Sequence, residues 1–349
     1  MRKVLLGDIC KPKQWKTIST SMLTEEGYSV YGANGVIGKY SEYNHKEETL
    51  LVTCRGATCG RLNICEPYSY VNGNAMALDD LDESVDIRYL YYVLKERGFK
   101  DVISGSAQPQ IIRSTLEKIP ILIGTKTEQK EIVRKLALID KCIKGRKSEL
   151  RQLDGLIKSR FVEMFGEPEN NNKAWPVKSL DKLCTVGSSK RVYQSEQSAE
   201  GVPFWRISDL VNKIDTGTVD STLFISEIKY TELKQAGLVP VTGDILVTSR
   251  GTLGRCYIIQ DEDRFYFQDG MISWLSNYSE EITPLYLQYL FTMSGFRKQI
   301  DNMQAGSTVA YLSIVMLKKL QVMVPDKALQ DQFATFVAQT DKSKLLYRY

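Results

Sequence analysis

Two short stretches place arginines where they could read DNA. Arg55-Gly56 with Gly60-Arg61, and Arg250-Gly251 with Gly254-Arg255, each set two arginines in a glycine-flexed turn directly after an apolar run. A guanidinium is the side chain best matched to bidentate contact with a guanine edge or a phosphate. Polar neighbours offer further readers: Asn34, Lys39, Asn72 and Asn74 with the first pair, and Arg206, Gln268 and Asp269 with the second. Asn and Gln match the adenine edge, and Asp accepts from the cytosine amine. The competing reading of these arginines is structural, as ion pairs that hold the turns. Their repetition as a pattern favours DNA contact.

Catalytic alternatives find less material. The chain has one histidine, His45, so Ser-His-Asp, Cys-His and histidine-based metal sites would all rest on it. There is no Asn-Pro-Pro-Tyr-like methyltransferase motif. Gly32-Ala33-Asn34-Gly35-Val36-Ile37-Gly38-Lys39 resembles a phosphate loop, but its first glycine is one residue too distant and Tyr40 stands where Ser/Thr is needed. A tight hairpin is expected there. Asp220 with Glu227-Ile228-Lys229 has the outline of a metal-dependent nuclease, an outline common by chance in a charged chain. Cys54, Cys59 and Cys65 cluster among strand-like residues and read as buried thiols, so no metal ligands are assigned. Seven cysteines without a C-x-x-C fit reduced thiols in a cytoplasm.

The elements that must hold these turns come from periodicity. Between Thr127 and Phe165, apolar residues at Ile132, Leu136, Ile139, Ile143, Leu150, Leu153, Ile157 and Met164 fall at gaps of three, four and seven, the seam of a coiled coil. Gly166 and Pro168 end the helix. At 1.5 Å per residue it would run roughly 55–60 Å, and a lone helix of that length needs a partner along its seam. An ordinary core helix is the blander alternative. Thr49–Thr53 and Ile245–Thr248 read as buried strands, while Tyr89–Arg97 and Pro284–Phe296 read as short helices with aromatic faces.

The sequence also repeats, with a period of about 200 residues. TLLVTCRGATCGR (Thr49 to Arg61) is echoed by DILVTSRGTLGR (Asp244 to Arg255), and Leu6 to Cys10 by Leu180 to Cys184. Tyr89-Leu90 with Gly98-Phe99-Lys100 is echoed by Tyr286-Leu287 with Gly295-Phe296-Arg297, and Glu128-Gln129 by Leu329-Gln330. Each repeat is thus a mixed globular domain followed by a helix, and the second carries an extra segment, Gly201 to Gly237. Net charge is +4, and the stretch Glu128 to Glu163 holds ten basic against six acidic residues, so the remainder balances. The surplus on the helix implies a polyanion or an acidic protein nearby. No stretch is long and apolar enough for a membrane span or an export signal, so a cytoplasmic protein is expected.

Three stretches resemble a known family. SAQPQIIRSTLEKIPILIGTKTEQKEIVRKLALID (Ser106 to Asp140) resembles the junction from recognition domain to conserved helix in the specificity (S) subunits of Type I restriction–modification systems. VYGANGVIGKYSEYN (Val30 to Asn44) and LLVTCRGATCGRLNICE (Leu50 to Glu66) resemble recurring stretches of their recognition domains. The resemblance implies an α+β chain in which two globular target-recognition domains are separated by long conserved helices forming an antiparallel coiled coil. Residues 1–126 would be the first recognition domain, 127–165 the spacer helix, 166–172 a linker, 173–326 the second recognition domain and 327–349 a shortened second helix. Each domain would read one half of a split double-stranded DNA target. Such a chain is not itself an enzyme and binds no cofactor. It recruits two modification (M) subunits, which use S-adenosylmethionine, and restriction (R) subunits, which use ATP and Mg. Two other readings stand beside this one: a stand-alone nuclease or methyltransferase, and a coiled-coil adaptor that does not bind DNA.

One feature departs from the family pattern. The second helix has only about twenty residues after Gln330, against some 37 from Gln129, and Phe333 and Val337 are followed by the polar Thr340 and Lys344. The expectation is either a truncated chain or a helix covering half of the rod. Leu150, Leu153, Ile157 and Phe161 would then be left for self-association or for an M subunit.

Overall fold

The computed structural model describes residues 1–105, 108–304 and 310–346; Ser106 and Ala107 of the Ser-Ala-Gln-Pro-Gln string and residues 347–349 lie outside them. The chain divides into two units, Met1–Gly145 and Arg146–Tyr349. The duplication read from sequence is a duplication of topology.

The first unit runs β1 (Arg2–Leu5), β2 (Lys11–Gln14), β3 (Tyr28–Gly32), β4 (Gly35–Tyr40), β5 (Thr49–Thr53), β6 (Leu62–Cys65), β7 (Tyr70–Val71), β8 (Ala75–Asp79), α1 (Ile87–Arg97), α2 (Arg113–Leu116) and β9 (Pro120–Ile123). Its main sheet has the order β2-β8-β5-β6, with β4-β3-β7 as a second sheet and β1 paired to β9. β5 is central, and Leu50, Leu51 and Val52 are at most 1% exposed, which is why it reads as an unbroken apolar run rather than an alternating one. As expected, Gly32 to Lys39 forms a hairpin, with Ala33 and Asn34 as its two-residue turn.

α3 (Lys126–Phe165) starts on a capping box: Thr125 N donates to Glu128 Oε2 at 2.7 Å, and Glu128 N to Thr125 Oγ1 at 3.3 Å. Gly166 ends it at φ +83°, a conformation that favours glycine. The first unit takes the start of α3 and the second unit takes the rest.

The second unit continues with β10 (Val177–Ser179), β11 (Thr185–Gly187), β12 (Gln197–Ser198), β13 (Val202–Trp205), α4 (Ile207–Thr216), β14 (Phe224–Ile225), α5 (Glu227–Gln235), β15 (Ile245–Thr248), β16 (Cys256–Ile258), β17 (Tyr266–Phe267) and β18 (Ile272–Ser276). It closes with α6 (Pro284–Leu290), α7 (Ser294–Asn302), α8 (Ile314–Lys319), β19 (Gln321–Met323) and α9 (Lys327–Leu346). Its sheet order β11-β18-β15-β16 repeats β2-β8-β5-β6, and β10 pairs with β19 as β1 does with β9. The extra segment supplies β13, α4, β14 and α5. The helix expected over Pro284–Phe296 is two helices, divided at Phe291 to Met293, where Thr292 Oγ1 turns back to Tyr289 O at 2.7 Å.

The same side-chain bonds brace both units. Tyr89 Oη donates to Leu122 O at 2.9 Å, and Tyr286 Oη to Met323 O at 3.0 Å. Gln129 is 1% exposed; its amide donates to Ser84 O and Gly124 O, both at 2.9 Å, and accepts from Asp86 N at 2.8 Å. Gln330 repeats this with Glu281 O at 2.8 Å, Pro325 O at 2.9 Å and Thr283 N at 2.9 Å. Each glutamine ties the first turn of a long helix to the residue that caps α1 or α6.

Two expectations about the helices need correction. Ile157 and Phe161, expected to be uncovered, are both 0% exposed. α9 runs antiparallel over the later half of α3: Phe333 meets Phe161 and Phe165 edge-on, Arg160 lies over Phe336, and Lys344 bonds Asp154 at 2.8 Å. Phe161 also stacks on Tyr286 of α6, so this half of α3 belongs to the core of its unit. Met164, Val337 and Phe165 are buried there as well, and Leu150 and Leu153 are half-buried. Earlier on the helix, Leu138, Ile139 and Ile143 are 54%, 53% and 47% exposed, while Ile132 and Leu136 are half-buried; on the later half Leu156 is 50% exposed beside the buried Ile157. The linker expected over 166–172 is a bonded turn, in which Asn171 and Trp175 exchange hydrogen bonds and Trp175 Nε1 donates to Phe165 O at 2.8 Å.

Candidate nucleic-acid interface

The paired arginine turns are the same structure made twice. In the first unit, Thr53 N donates to Arg61 O and Gly60 N to Thr53 O, both at 2.8 Å, and Ile111 N reaches Cys54 O at 3.0 Å. In the second, Thr248 N donates to Arg255 O at 2.9 Å, Gly254 N to Thr248 O at 2.8 Å, and Leu312 N to Ser249 O at 3.0 Å. Arg55 bridges to Gln110 as Arg250 does to Tyr311. The second glycine of each turn is needed twice over. Gly60 (φ +88°) and Gly254 (φ +70°) have left-handed backbones, and a Cβ would lie 3.2 Å from the Phe99 ring or 2.8 Å from Ile300. The turn is thus clamped from below, leaving its arginines at the rim.

The four arginines differ in their surroundings. Arg55 and Arg61 are exposed, and among the described residues neither has a carboxylate in ion-pair range. The Arg250 guanidinium lies 5.3 Å from the Tyr311 ring centroid, which holds it without neutralising it. Arg255 is paired: two bonds join it to Asp215, one of them Nη1 to Oδ2 at 3.1 Å. Arg297 Nη2 donates to Leu253 O at 2.9 Å and stiffens the second turn from α7.

Of the other candidate readers in the first unit, Asn34 and Asn74 sit beside the turn. The Asn34 hairpin tip is tied on through Thr53 Oγ1 to Ala33 O at 2.5 Å, and Asn74 O accepts from Cys54 N at 3.1 Å; both side chains are exposed. Lys39 is exposed further down β4, opposite Ser29. Asn72 is 4% exposed, its amide donates to Ile18 O at 3.2 Å, and its Oδ1 is buried without a partner. In this structure it braces the turn from inside rather than facing a base.

In the second unit, Arg206 precedes α4, where its N–H donates to Asp209 Oδ2 at 2.8 Å. Gln268 N reaches Trp205 O at 2.9 Å, so Gln268 and Arg206 are neighbours. The Asp269 carboxylate accepts from Arg191 Nε at 2.8 Å and would have to leave it to accept from a cytosine. Gln110 beside the first turn, and Arg191, Arg297, Tyr311 and Asp215 around the candidate residues of the second unit, were not singled out from the sequence. The Gly-Phe-Lys/Arg echo could have pointed to Arg297; Asp215 lies forty residues from Arg255, and no local pattern links them.

The catalytic alternatives come apart in three dimensions. His45 is 7% exposed, with Nδ1 2.6 Å from Asn44 Oδ1 and Nε2 2.9 Å from Asp79 Oδ1. Asp79 also accepts from Trp15 Nε1 at 3.0 Å, so the pair is built into the scaffold. Of the nuclease outline, Glu227 is paired with Arg264 (Nη1 to Oε1, 3.0 Å) and Lys229 with Glu196 (2.6 Å). Among the described residues no group of His, Cys, Asp or Glu is arranged to hold a metal ion. Burial raises the Cys54, Cys59 and Cys65 thiols above their usual range and pushes Cys10 and Cys184 up to about 12, which suits inert thiols; Cys59, expected to be buried, is half-buried. No helix of the described residues is long and apolar enough to cross a membrane.

Comparison with known proteins gives the family and the fold. A family model described as "Type I restriction modification DNA specificity domain" matches residues 1–153 and again 172–346. A Haemophilus influenzae protein named as a type I restriction enzyme specificity subunit is 26% identical over 322 residues, covering 89% of this chain and 79% of its own. The MjaVIII type I specificity subunit of Methanocaldococcus jannaschii is 24% identical, covering 92% of this chain and 81% of its own. The crystal structure of a type I S subunit from M. genitalium shares the fold, with a TM-score of 0.59, 20% identity and coverage of 99% and 91%.

Proposed function

The chain belongs to the Type I restriction–modification DNA specificity family, and from that membership we propose that its two units read the two halves of a split DNA sequence. It is a DNA-recognition subunit rather than a catalyst. The observation that carries the bipartite reading is the second arginine turn, closed by the same backbone bonds as the first and rimmed by its own polar side chains. A chain with one reader would need one such turn. Direct base contacts fall to Arg55, Arg61, Asn34 and Asn74 in one unit and to Arg250, Arg255, Arg206 and Gln268 in the other.

The chemistry then belongs to other chains in the cytoplasm. Two M subunits carry the S-adenosylmethionine and methylate adenine, R subunits use ATP and Mg, and the helices dock the M subunits and fix the spacing between half-sites. The exposed run Leu138, Ile139 and Ile143 is available to such a partner.

The test is to map methylated adenines in cells that carry this chain with its M partner. The parent should yield a split motif with a fixed gap. Arg55→Ala with Arg61→Ala should relax bases in one half only, and Arg250→Ala in the other half only. Each base-reading arginine contributes about 1–3 kcal/mol of discrimination. A continuous motif, or one in which both halves change together, would refute two independent readers.

A further inference from the structure

We propose that Asp215 is an intramolecular competitor of DNA for Arg255, holding that arginine out of sequence-independent contact. This rests on the reading of the arginine turns as DNA contacts. Among the described residues, Arg255 is the only one of the four turn arginines with a carboxylate partner. The pairing is two-pronged, through Nη1 and Nη2 to the two Asp215 oxygens. That is the fork geometry a phosphate, or the O6 and N7 of guanine, would otherwise receive. The guanidinium therefore meets in Asp215 a mimic of its nucleic-acid partner.

The position of the carboxylate supports this role. Asp215 is the penultimate residue of α4, at the helix end where the macrodipole disfavours an anion, so helix stability does not explain it. It comes from the extra segment Gly201 to Gly237, which the first unit lacks, and Arg61, the counterpart of Arg255, carries no such partner. The Asp215 side chain is 54% exposed and that of Arg255 27%, so the pair sits at the surface where it can open. The Arg255 hydrogen bonds hold the Asp215 carboxyl below the usual carboxylate range, so it stays charged at neutral pH. On a sequence offering only phosphates, the latch remains a close rival for the fork. On a sequence offering a well-placed guanine, the arginine exchanges one bidentate partner for another and leaves Asp215 facing outward.

The experiment measures binding of the full chain to a random-sequence duplex as salt is varied. Asp215→Asn removes the latch and frees one further phosphate contact. Binding should tighten, and the loss of affinity between 50 and 200 mM salt should grow by about threefold, the increment of one added contact. Asp220→Asn makes the same charge change on the same segment without touching Arg255, and should leave the salt slope at the parent value. In an Arg255→Gln background, Asp215→Asn should have no effect beyond that of Asp220→Asn. Equal effects of the two aspartate changes, or a gain that persists without Arg255, would overturn the proposal and leave only general charge. If Arg250→Ala weakens binding while Asp215→Asn does nothing, the latch alone fails. If Arg55→Ala, Arg250→Ala and Arg255→Ala all leave binding unchanged, the reading of the turns fails and the latch with it.

Discussion

Gln330→Leu should unlock the second unit at a defined point. The Gln330 amide is 1% exposed and makes four bonds: Nε2 to Glu281 O (2.8 Å) and Pro325 O (2.9 Å), and Oε1 from Thr283 N (2.9 Å) and Thr283 Oγ1 (3.1 Å). Leucine keeps most of the volume but strips three backbone groups of this partner. An unsatisfied buried group costs about 1–3 kcal/mol, and neighbouring losses overlap, so the expected destabilisation is about 3–5 kcal/mol. Amide hydrogen exchange followed by mass spectrometry reads the effect locally. Protection at Thr283 and along α6 should fall by roughly two to three and a half powers of ten, since each 1.4 kcal/mol is tenfold. Protection of α1 in the first unit should not change. Gln129→Leu should do the reverse, acting through Ser84 O, Gly124 O and Asp86 N. Gln330→Leu unfolding within about 1 kcal/mol of the parent, with Thr283 still protected, would refute the assignment of this amide as the staple between helix and domain.

Phe333→Ala should cost the second unit about 3–5 kcal/mol in denaturant unfolding, because the ring is fully buried against Phe161, Phe165 and Tyr289. Ile139→Ala with Ile143→Ala should change the stability of the isolated chain by about 0.5 kcal/mol or less, since both are about half exposed, yet should weaken co-purification with a partner that uses this face. Asp215 also gives a pH prediction. Its folded carboxyl is depressed by the Arg255 hydrogen bonds, so its stabilising contribution is present above the usual aspartate range and is lost as pH falls through the folded value. Exchange protection of α4 should therefore weaken in acid in the parent and lose that limb in Asp215→Asn.

The sequence determined those features that depend on near neighbours along the chain. The unbroken apolar runs marked β5 and β15, because a strand covered on both faces cannot alternate. The Arg-Gly…Gly-Arg echo marked both turns, because only glycine takes the left-handed backbone there. The echo of Glu128-Gln129 by Leu329-Gln330 showed that the start of each long helix recurs, but the staple role of the two glutamines appeared only with their bonds.

Tertiary structure decided what depends on residues far apart. Asn34 and Asn72 look equally suited to reading a base, yet one lies at a hairpin tip and the other under Ile18, and burial separates them. One seam row of α3, from Leu136 to Met164, is apolar throughout, but its two halves meet different surroundings. Aromatic residues of α6 and α9 close over Ile157 and Phe161, while Ile139 and Ile143 stay exposed, because an apolar period shows which face seeks cover and not what arrives to cover it. Arg255 and Asp215 are the sharpest case: neither residue predicts the other, and the path of the extra segment is what brings this carboxylate to Arg255.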